Sequence, residues 1–374
     1  MRLSICARGT LLHLCAVTIA IIVLSVIRWA VPSLSGIHKV FPSNVSEHLS
    51  VNEFNAWRTE QANGVIARFS NLLLQNSHGT EAESAVNVVI VASGREGYFL
   101  TQVVAALLEL QNTSTLDAAI SICDVSETAN DEIDRISQIV PRIKIRSPYL
   151  HDYGSYEGRI AKESNDYWLC MNATHNSRYL LLIEDDAVPV PAFGHLLHSI
   201  VQRMDSDQKI DFIKLYHPGY LRKLPYYFQV SLTSLLISLL LTVSVWRTVR
   251  WLPFMLTFAF FVYHFDVHYT YQLFADLRYA LTGSAYVGIS ESCCTPAVIY
   301  RSSSIPNMLD YFTLQTHNNR SAKDDLLDES PFTSRLTDTN FVIHIGYVSV
   351  IRGKIVTLDA IRQLQKQSEH VFPF

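Results

Sequence analysis

Two long apolar stretches stand out along this 374-residue chain. The first, Leu11 to Val31, has no charged side chain before Arg28, and a helix needs roughly 20 such residues to cross a bilayer. The second, Tyr226 to Phe265, is interrupted by two arginines between residues 247 and 250. Because charges disfavour the middle of a span, the second stretch predicts a hairpin. We therefore expect an uncleaved amino-terminal signal anchor and an internal transmembrane hairpin.

These stretches define a topology if the amino terminus is cytosolic. Residues 32–225 are then lumenal, and the hairpin returns the chain so that residues 266–374 are lumenal too. The alternative is that the hairpin is the buried core of a soluble domain. N-glycosylation sequons, which are consistent with a lumenal chain, occur on both sides of the hairpin at Asn44, Asn112, Asn172 and Asn319.

Between the apolar stretches, short strand-like runs alternate with helical segments. The strand-like runs are 86–92, 118–125, 143–145, 179–183 and 210–216, with two more at 297–300 and 341–346. Strands that alternate with helices predict an α/β fold with a mainly parallel sheet and flanking helices. The predicted division is a tail and anchor (1–31), a stem with an amphipathic helix (32–84), a first domain part (85–225), the hairpin (226–265) and a second domain part (266–374).

The composition argues against a nucleic-acid partner and favours membrane lipid. Hydrophobic residues make up 49% of the chain and charged residues 17%, with a formal net charge of -4. Basic residues neither dominate nor cluster, so we expect no nucleic-acid partner. The apolar excess lies in the two long stretches, which makes membrane lipid an expected partner.

Four cysteines lie in the predicted oxidising lumen, where disulfides form. We take Cys123 with Cys170 as the first choice of pairing. Cys293 and Cys294 are then either bonded to each other or free. A vicinal bond would be unusual because adjacent cysteines lie outside the usual Cα spacing.

The acidic triplet Glu184-Asp185-Asp186 directly follows a strand-like run. Ligands of such sheets bind beyond the carboxyl ends of the strands, and Ser93 and Asp124 also lie at such ends. Carboxylates there can hold a hard divalent cation, with Asp185 and Asp186 as direct or water-mediated ligands. Glu184 would orient a ribose or a metal-bound water. The alternative is that Asp186 merely caps the next helix.

Two basic side chains are further candidates. His344 ends a strand-like run before Gly346, and its neutral imidazole could approach a cation. Arg95 could grip a phosphate with its fork of donors. The alternatives are a structural histidine and an exposed loop arginine.

An inverting transfer needs a general base for the acceptor hydroxyl. Four acidic residues in one short segment are candidates: Asp324, Asp325, Asp328 and Glu329. The alternative is a solvated acidic helix start.

The ordered set of motifs resembles GT-A glycosyltransferases. It consists of Ser93 to Glu96, the triplet, and the run from Lys214 to Pro218. The hairpin inserted into the catalytic domain, together with Thr295 to Arg301 and His344-Ile345-Gly346, resembles the Golgi post-GPI-attachment GalNAc transferases. The resemblance covers essentially the whole chain, and the hairpin is its most specific element.

The resemblance implies a GT-A-like fold, a UDP-GalNAc donor and a manganese-type (Mn2+) cofactor. The acceptor would be the first mannose of GPI-anchored proteins, modified by a multi-pass Golgi enzyme with a lumenal catalytic domain. The three acids of the family motif map onto Glu184, Asp185 and Asp186, and the carboxy-terminal histidine of the wider fold maps onto His344. With the strand-end residues, the expected donor contacts are Ser93, Arg95, Asp124, Glu184 and Asp185, and the expected metal contacts are Asp185, Asp186 and His344. The base motif of the wider fold has no clean match here. Alternatives are an N-glycan-branching UDP-GlcNAc transferase and a non-catalytic membrane scaffold.

Overall fold

The computed structural model describes residues 5–30, 51–75, 84–146, 155–217, 224–246, 251–268, 278, 281–292, 294–319, 322–346, 348–349 and 354–355. The chain forms two compact units, the first comprising residues 1–33 and 219–282 and the second residues 34–218 and 283–374. The second unit is thus built from two chain segments.

The helices are α1 (Ile5–Ala30), α2 (Val51–Gln75), α3 (Phe99–Asn112), α4 (Asp131–Ile136), α5 (Tyr156–Thr174), α6 (Phe193–Ser206), α7 (Leu224–Trp246), α8 (Trp251–His268), α9 (Ile305–Asn319) and α10 (Lys323–Asp328). The strands are β1 (Val86–Ala92), β2 (Ala119–Asp124), β3 (Arg142–Lys144), β4 (Tyr179–Glu184), β5 (Ala187–Pro189), β6 (Phe212–Lys214), β7 (Val287–Ile289), β8 (Ala297–Arg301), β9 (Ser334–Thr337), β10 (Val342–His344), β11 (Val348–Ser349) and β12 (Lys354–Ile355).

Eight strands form the main sheet in the order β3-β2-β1-β4-β8-β6-β9-β7. The first four run parallel to one another, whereas β8 is antiparallel to both β4 and β6. Strand β9 is parallel to β6 and antiparallel to β7. The predicted α/β class is confirmed, but the sheet is mixed rather than mainly parallel. Periodicity marks a strand without giving its direction, so the reversal at β8 was not predictable.

The predicted disulfide between Cys123 and Cys170 is confirmed, with a Cα–Cα distance of 5.8 Å. Both cysteines are fully buried in a core that also contains Trp168 stacked on Phe312. The bond fastens α5 to β2, the strand that ends at Asp124. Cys294 is also disulfide-bonded and therefore not free. Cys293 lies outside the described residues, so the vicinal pairing stays a prediction.

Helix α2, predicted as part of a stem, packs against α3 in the second unit. Its buried face carries Ala62, Val65 and Ile66, which are three and four positions apart and so lie on one side of the helix. Asn55 Nδ2 donates to the carbonyl of Gly97 at 2.7 Å. The structure therefore joins this part of the predicted stem to the second unit, because the apolar stripe of α2 needs a surface to cover it.

The other unit contains α1, α7 and α8, with α7 packed against both α1 and α8. Its interior buries Val230 and Phe261, and His13 Nε2 lies 2.7 Å from Thr257 Oγ1. Its outer surface exposes large apolar side chains, including Leu12, Leu14, Ile19, Leu236, Leu240, Leu252 and Leu256.

Within the described residues, we find no helix that combines the length and the apolar character needed to cross a membrane. The transmembrane part of the predicted fold stays a prediction.

Candidate active site

Three neighbouring parallel strands bring the predicted donor-side residues to one edge of the sheet. Ala92 of β1 pairs with Asp124 of β2, and Val91 of β1 pairs with Glu184 of β4. The strands are mostly apolar because they are largely buried on both faces. Polar side chains at their carboxyl ends therefore meet in one place, as the sequence predicted.

Asp185 is anchored by the loop after β1. The backbone N–H and the hydroxyl of Ser93 donate to Asp185 Oδ2 at 2.9 and 3.0 Å. Arg95 Nε lies 2.9 Å from Asp185 Oδ1. Gly94 makes this turn with φ of +74°, and a Cβ there would lie 2.8 Å from Ser126 Cβ. The loop thus aims Arg95 back at the triplet.

Asp186, which is 1% exposed, lies at the centre of the site and contacts both basic side chains. Arg95 Nη1 donates to Asp186 Oδ2, and His344 Nε2 lies 3.1 Å from the same oxygen. The register explains how His344 arrives there, because β10 pairs antiparallel with β5 and sets His344 opposite Ala187. Residues 158 positions apart in the sequence therefore come into contact.

Gly346 is required by this close approach. A Cβ on Gly346 would lie 1.9 Å from Asp186 Oδ2, so another residue there would have to displace the carboxylate. The neighbouring Ile345 N–H donates to the backbone carbonyl of Asp186 at 2.8 Å. The His-x-Gly motif thus supplies one imidazole and one position without a side chain.

Glu184 has a partner that sequence reasoning missed. Lys323 Nζ lies 2.6 Å from Glu184 Oε1 and also pairs with Glu163 Oε1. The ammonium lies 5.2 Å from the centre of the Tyr167 ring. Lys323 opens the acidic segment that was proposed to carry the base, but nothing in the sequence indicated that it reaches β4.

Three cations face the three carboxylates of the triplet: Arg95, Lys323 and His344. Burial opposes the charged form of His344, but Asp186 and Glu184 outweigh it and raise the pKa of His344 to about 9. Burial likewise opposes ionisation of Asp186, yet Arg95 and His344 hold the pKa of that carboxyl below its usual range. Glu163, which also pairs with Lys323, adds a fourth carboxylate beside the triplet.

The residues present fit a divalent cation. Ligand atoms of Glu184, Asp186 and His344 lie within 4.8 Å of one another. Asp186 Oδ1 is buried without a hydrogen-bond partner among the described residues. Carboxylate oxygens and a neutral imidazole nitrogen suit Mn2+, so His344 would give up its proton on binding the cation. Ser93 and Arg95 engage the carboxylate of Asp185, and its predicted role as a metal ligand stays a prediction.

The four base candidates divide between two faces of α10. Asp325 and Glu329 are exposed. Asp328 pairs with the fully buried Lys214. Asp324 is only partly exposed and accepts from the Thr295 hydroxyl. Burial, which outweighs the effect of Lys323, raises the pKa of Asp324.

Asp124 is already engaged at its strand end. Lys144 Nζ lies 3.0 Å from each of its carboxylate oxygens, and Arg142 Nη2 pairs with Oδ2. The Ser126 hydroxyl donates to Oδ1 at 2.6 Å. Burial favours the neutral form of Asp124, but these donors outweigh the effect of burial, so the pKa of Asp124 lies below its usual value. Its predicted contact with the donor stays a prediction.

The chain matches a known family over most of its length. A family model described as GPI-N-acetylgalactosamine transferase PGAP4 aligns with residues 86–344. That range includes the sheet edge, the acidic triplet and His344. The protein is a glycosyltransferase by class. It belongs to the GPI-N-acetylgalactosamine transferase PGAP4 family.

Solved structures offer remote similarities. The mannosyltransferase Ktr4p of S. cerevisiae is 9% identical, with 82% of this chain and 79% of that chain covered and a TM-score of 0.30. TarS 1-349 of S. aureus is 8% identical, with 37% of this chain and 37% of that chain covered and a TM-score of 0.25. The mannosyltransferase PcManGT from Pyrobaculum calidifontis, in complex with GDP-Man and Mn2+, is 9% identical, with 46% and 48% covered and a TM-score of 0.22. This chain therefore spans less than half the length of the TarS and PcManGT chains.

Proposed function

We propose that this protein transfers GalNAc from UDP-GalNAc to the first mannose of the GPI glycan on GPI-anchored proteins, with inversion and with a divalent cation such as Mn2+. The observation that carries the proposal is the grouping of Glu184, Asp186 and His344 at the sheet edge, within the region that matches the family. A GT-A-like fold and a Golgi location belong to the same proposal.

The donor-side chemistry follows from charge. Glu184, Asp186 and His344 would hold the cation, which would offset the charge that develops on the leaving diphosphate. Arg95 is oriented by Asp185 and Asp186 and would donate to a phosphate oxygen. Ser93 fixes the loop that carries Arg95.

Asp324 is the general base in this proposal. Its raised pKa brings the carboxylate nearer to the working pH, where a base both accepts a proton and remains ionised. The Thr295 hydroxyl orients it. Asp325 and Glu329 are exposed, and Asp328 is paired with Lys214, so these three fit the role less well.

The three-helix unit would lie in membrane lipid. Exposed side chains such as Leu240, Leu252 and Leu256 form an apolar exterior that water disfavours, and lipid covers such a surface without cost. We expect the protein to stay with membranes during alkaline carbonate extraction and to be released by detergent. Release by carbonate alone would contradict lipid insertion.

A donor assay tests the proposed chemistry. The detergent-purified protein should consume UDP-GalNAc in preference to UDP-GlcNAc when Mn2+ is present. It should lose turnover when a chelator removes the cation and regain it when Mn2+ is restored. Preference for UDP-GlcNAc would favour an N-glycan-branching transferase, and binding without turnover a scaffold. Full activity under chelation would contradict the cation's role.

A further inference from the structure

The side chain of Lys323 is 6% exposed, and its ammonium contacts groups from two other elements. Glu184 ends β4, whereas Glu163 and Tyr167 stand one turn apart on α5. Lys323 therefore ties the start of α10 to β4 and α5. A buried ammonium persists only where paired carboxylates offset its loss of hydration, and here two do so.

This pairing restricts what Glu184 can offer a cation. Its Oε1 is engaged by Lys323 at 2.6 Å, and its Oε2 lies 3.9 Å from His344 Nε2. While Lys323 is in place, Glu184 has one oxygen available and cannot bind a metal with both. The ammonium also cancels part of the charge of the triplet at close range, where the interaction is strong.

We propose that Lys323 is a positioning residue that limits Glu184 to a single free oxygen and weakens cation binding at the triplet until the donor diphosphate adds its own oxygens. This inference rests on the proposed function. Cation and nucleotide then enter as a unit, and free Mn2+ is held loosely. Because Asp324 follows Lys323 directly, the same contact holds the base beside the donor site.

Mn2+ titration of the full-length protein in detergent tests this inference, by calorimetry with and without UDP-GalNAc. Lys323→Met should bind Mn2+ alone about tenfold more tightly, because a nearby positive charge is removed. Lys323→Arg keeps the charge and should stay close to the wild type. The matched control is Lys214→Met, which removes the other buried lysine that pairs with α10. It should lower thermal stability while leaving Mn2+ affinity unchanged.

A second variant, expected to change Mn2+ affinity in the opposite direction, keeps the inference testable if Lys323→Met does not fold. Glu163→Gln removes the second partner of Lys323 and leaves the pair with Glu184. It should weaken Mn2+ binding about threefold, because the local charge becomes more positive. Unchanged or weaker binding in Lys323→Met, or tighter binding in Glu163→Gln, would overturn the inference. A wild type that binds no Mn2+ with or without donor would instead remove the proposed cation site, and this inference with it.

Discussion

Asp186→Asn is expected to lower the rate of glycosyl transfer by about 10³-fold or more while the protein stays folded. The carboxylate bonds to Arg95 and His344 and is buried, so water screens its charge poorly. Removing a charge that holds the cation costs several kcal/mol of transition-state stabilisation, and each 1.36 kcal/mol is a factor of ten. Initial rates with UDP-GalNAc and Mn2+ measure the loss.

Asp205→Asn is the matched control for this substitution. Asp205 accepts from the hydroxyl of Tyr179 at 2.6 Å, at the opposite end of β4 from the triplet. The control should keep near-wild-type transfer, although its stability is expected to fall modestly. If Asp186→Asn retains more than a tenth of the activity, Asp186 does not hold the cation.

Asp324→Asn is expected to lower kcat by roughly 10²- to 10⁴-fold, the range that general-base catalysis supplies. The asparagine keeps the shape of the side chain but cannot accept the proton of the acceptor hydroxyl. KM for the donor should change little, because the base acts on the acceptor. Single-turnover transfer at saturating donor separates the two parameters.

The pH dependence gives a second readout for Asp324. The base acts only when ionised, so the rate falls as pH drops through its pKa. Because burial raises that pKa, the decline should begin at a higher pH than for an ordinary aspartate. Asp325→Asn, a change on the exposed face of the same helix, should leave both the rate and the profile unchanged. An unaltered profile in Asp324→Asn would assign the base to another residue.

The sequence allowed the sheet edge to be predicted because strand ends are local features. The apolar run before Glu184 indicates a buried strand. Because β1, β2 and β4 are parallel neighbours, their carboxyl ends lie at the same edge of the sheet, whichever segments connect them in the sequence. The α/β class followed from the alternation of strands and helices, whereas the pairing of Cys123 with Cys170 was a first choice among the lumenal cysteines that the structure confirms. His344 was placed on a strand, but its contact with Asp186 depends on the pairing of β10 with β5, which no local pattern encodes.

Long-range charge pairing was the part that could not be predicted. Lys323 meets Glu184 across 139 positions, and Lys214 meets Asp328 across 114. These contacts give the four acidic candidates for the base different surroundings, which the sequence alone does not distinguish. A one-residue difference along α10 decides whether a carboxylate is exposed, as at Asp325, or held near the site, as at Asp324.

The proposed function is tested most directly by the structure of the GPI glycan in cells that lack this protein, read by mass spectrometry. The GalNAc branch on the first mannose should disappear in these cells and return when the wild type is re-expressed. Asp186→Asn, produced at the same level, should fail to restore it. A GalNAc branch that persists without the protein, in cells with no redundant enzyme, would contradict the proposed function.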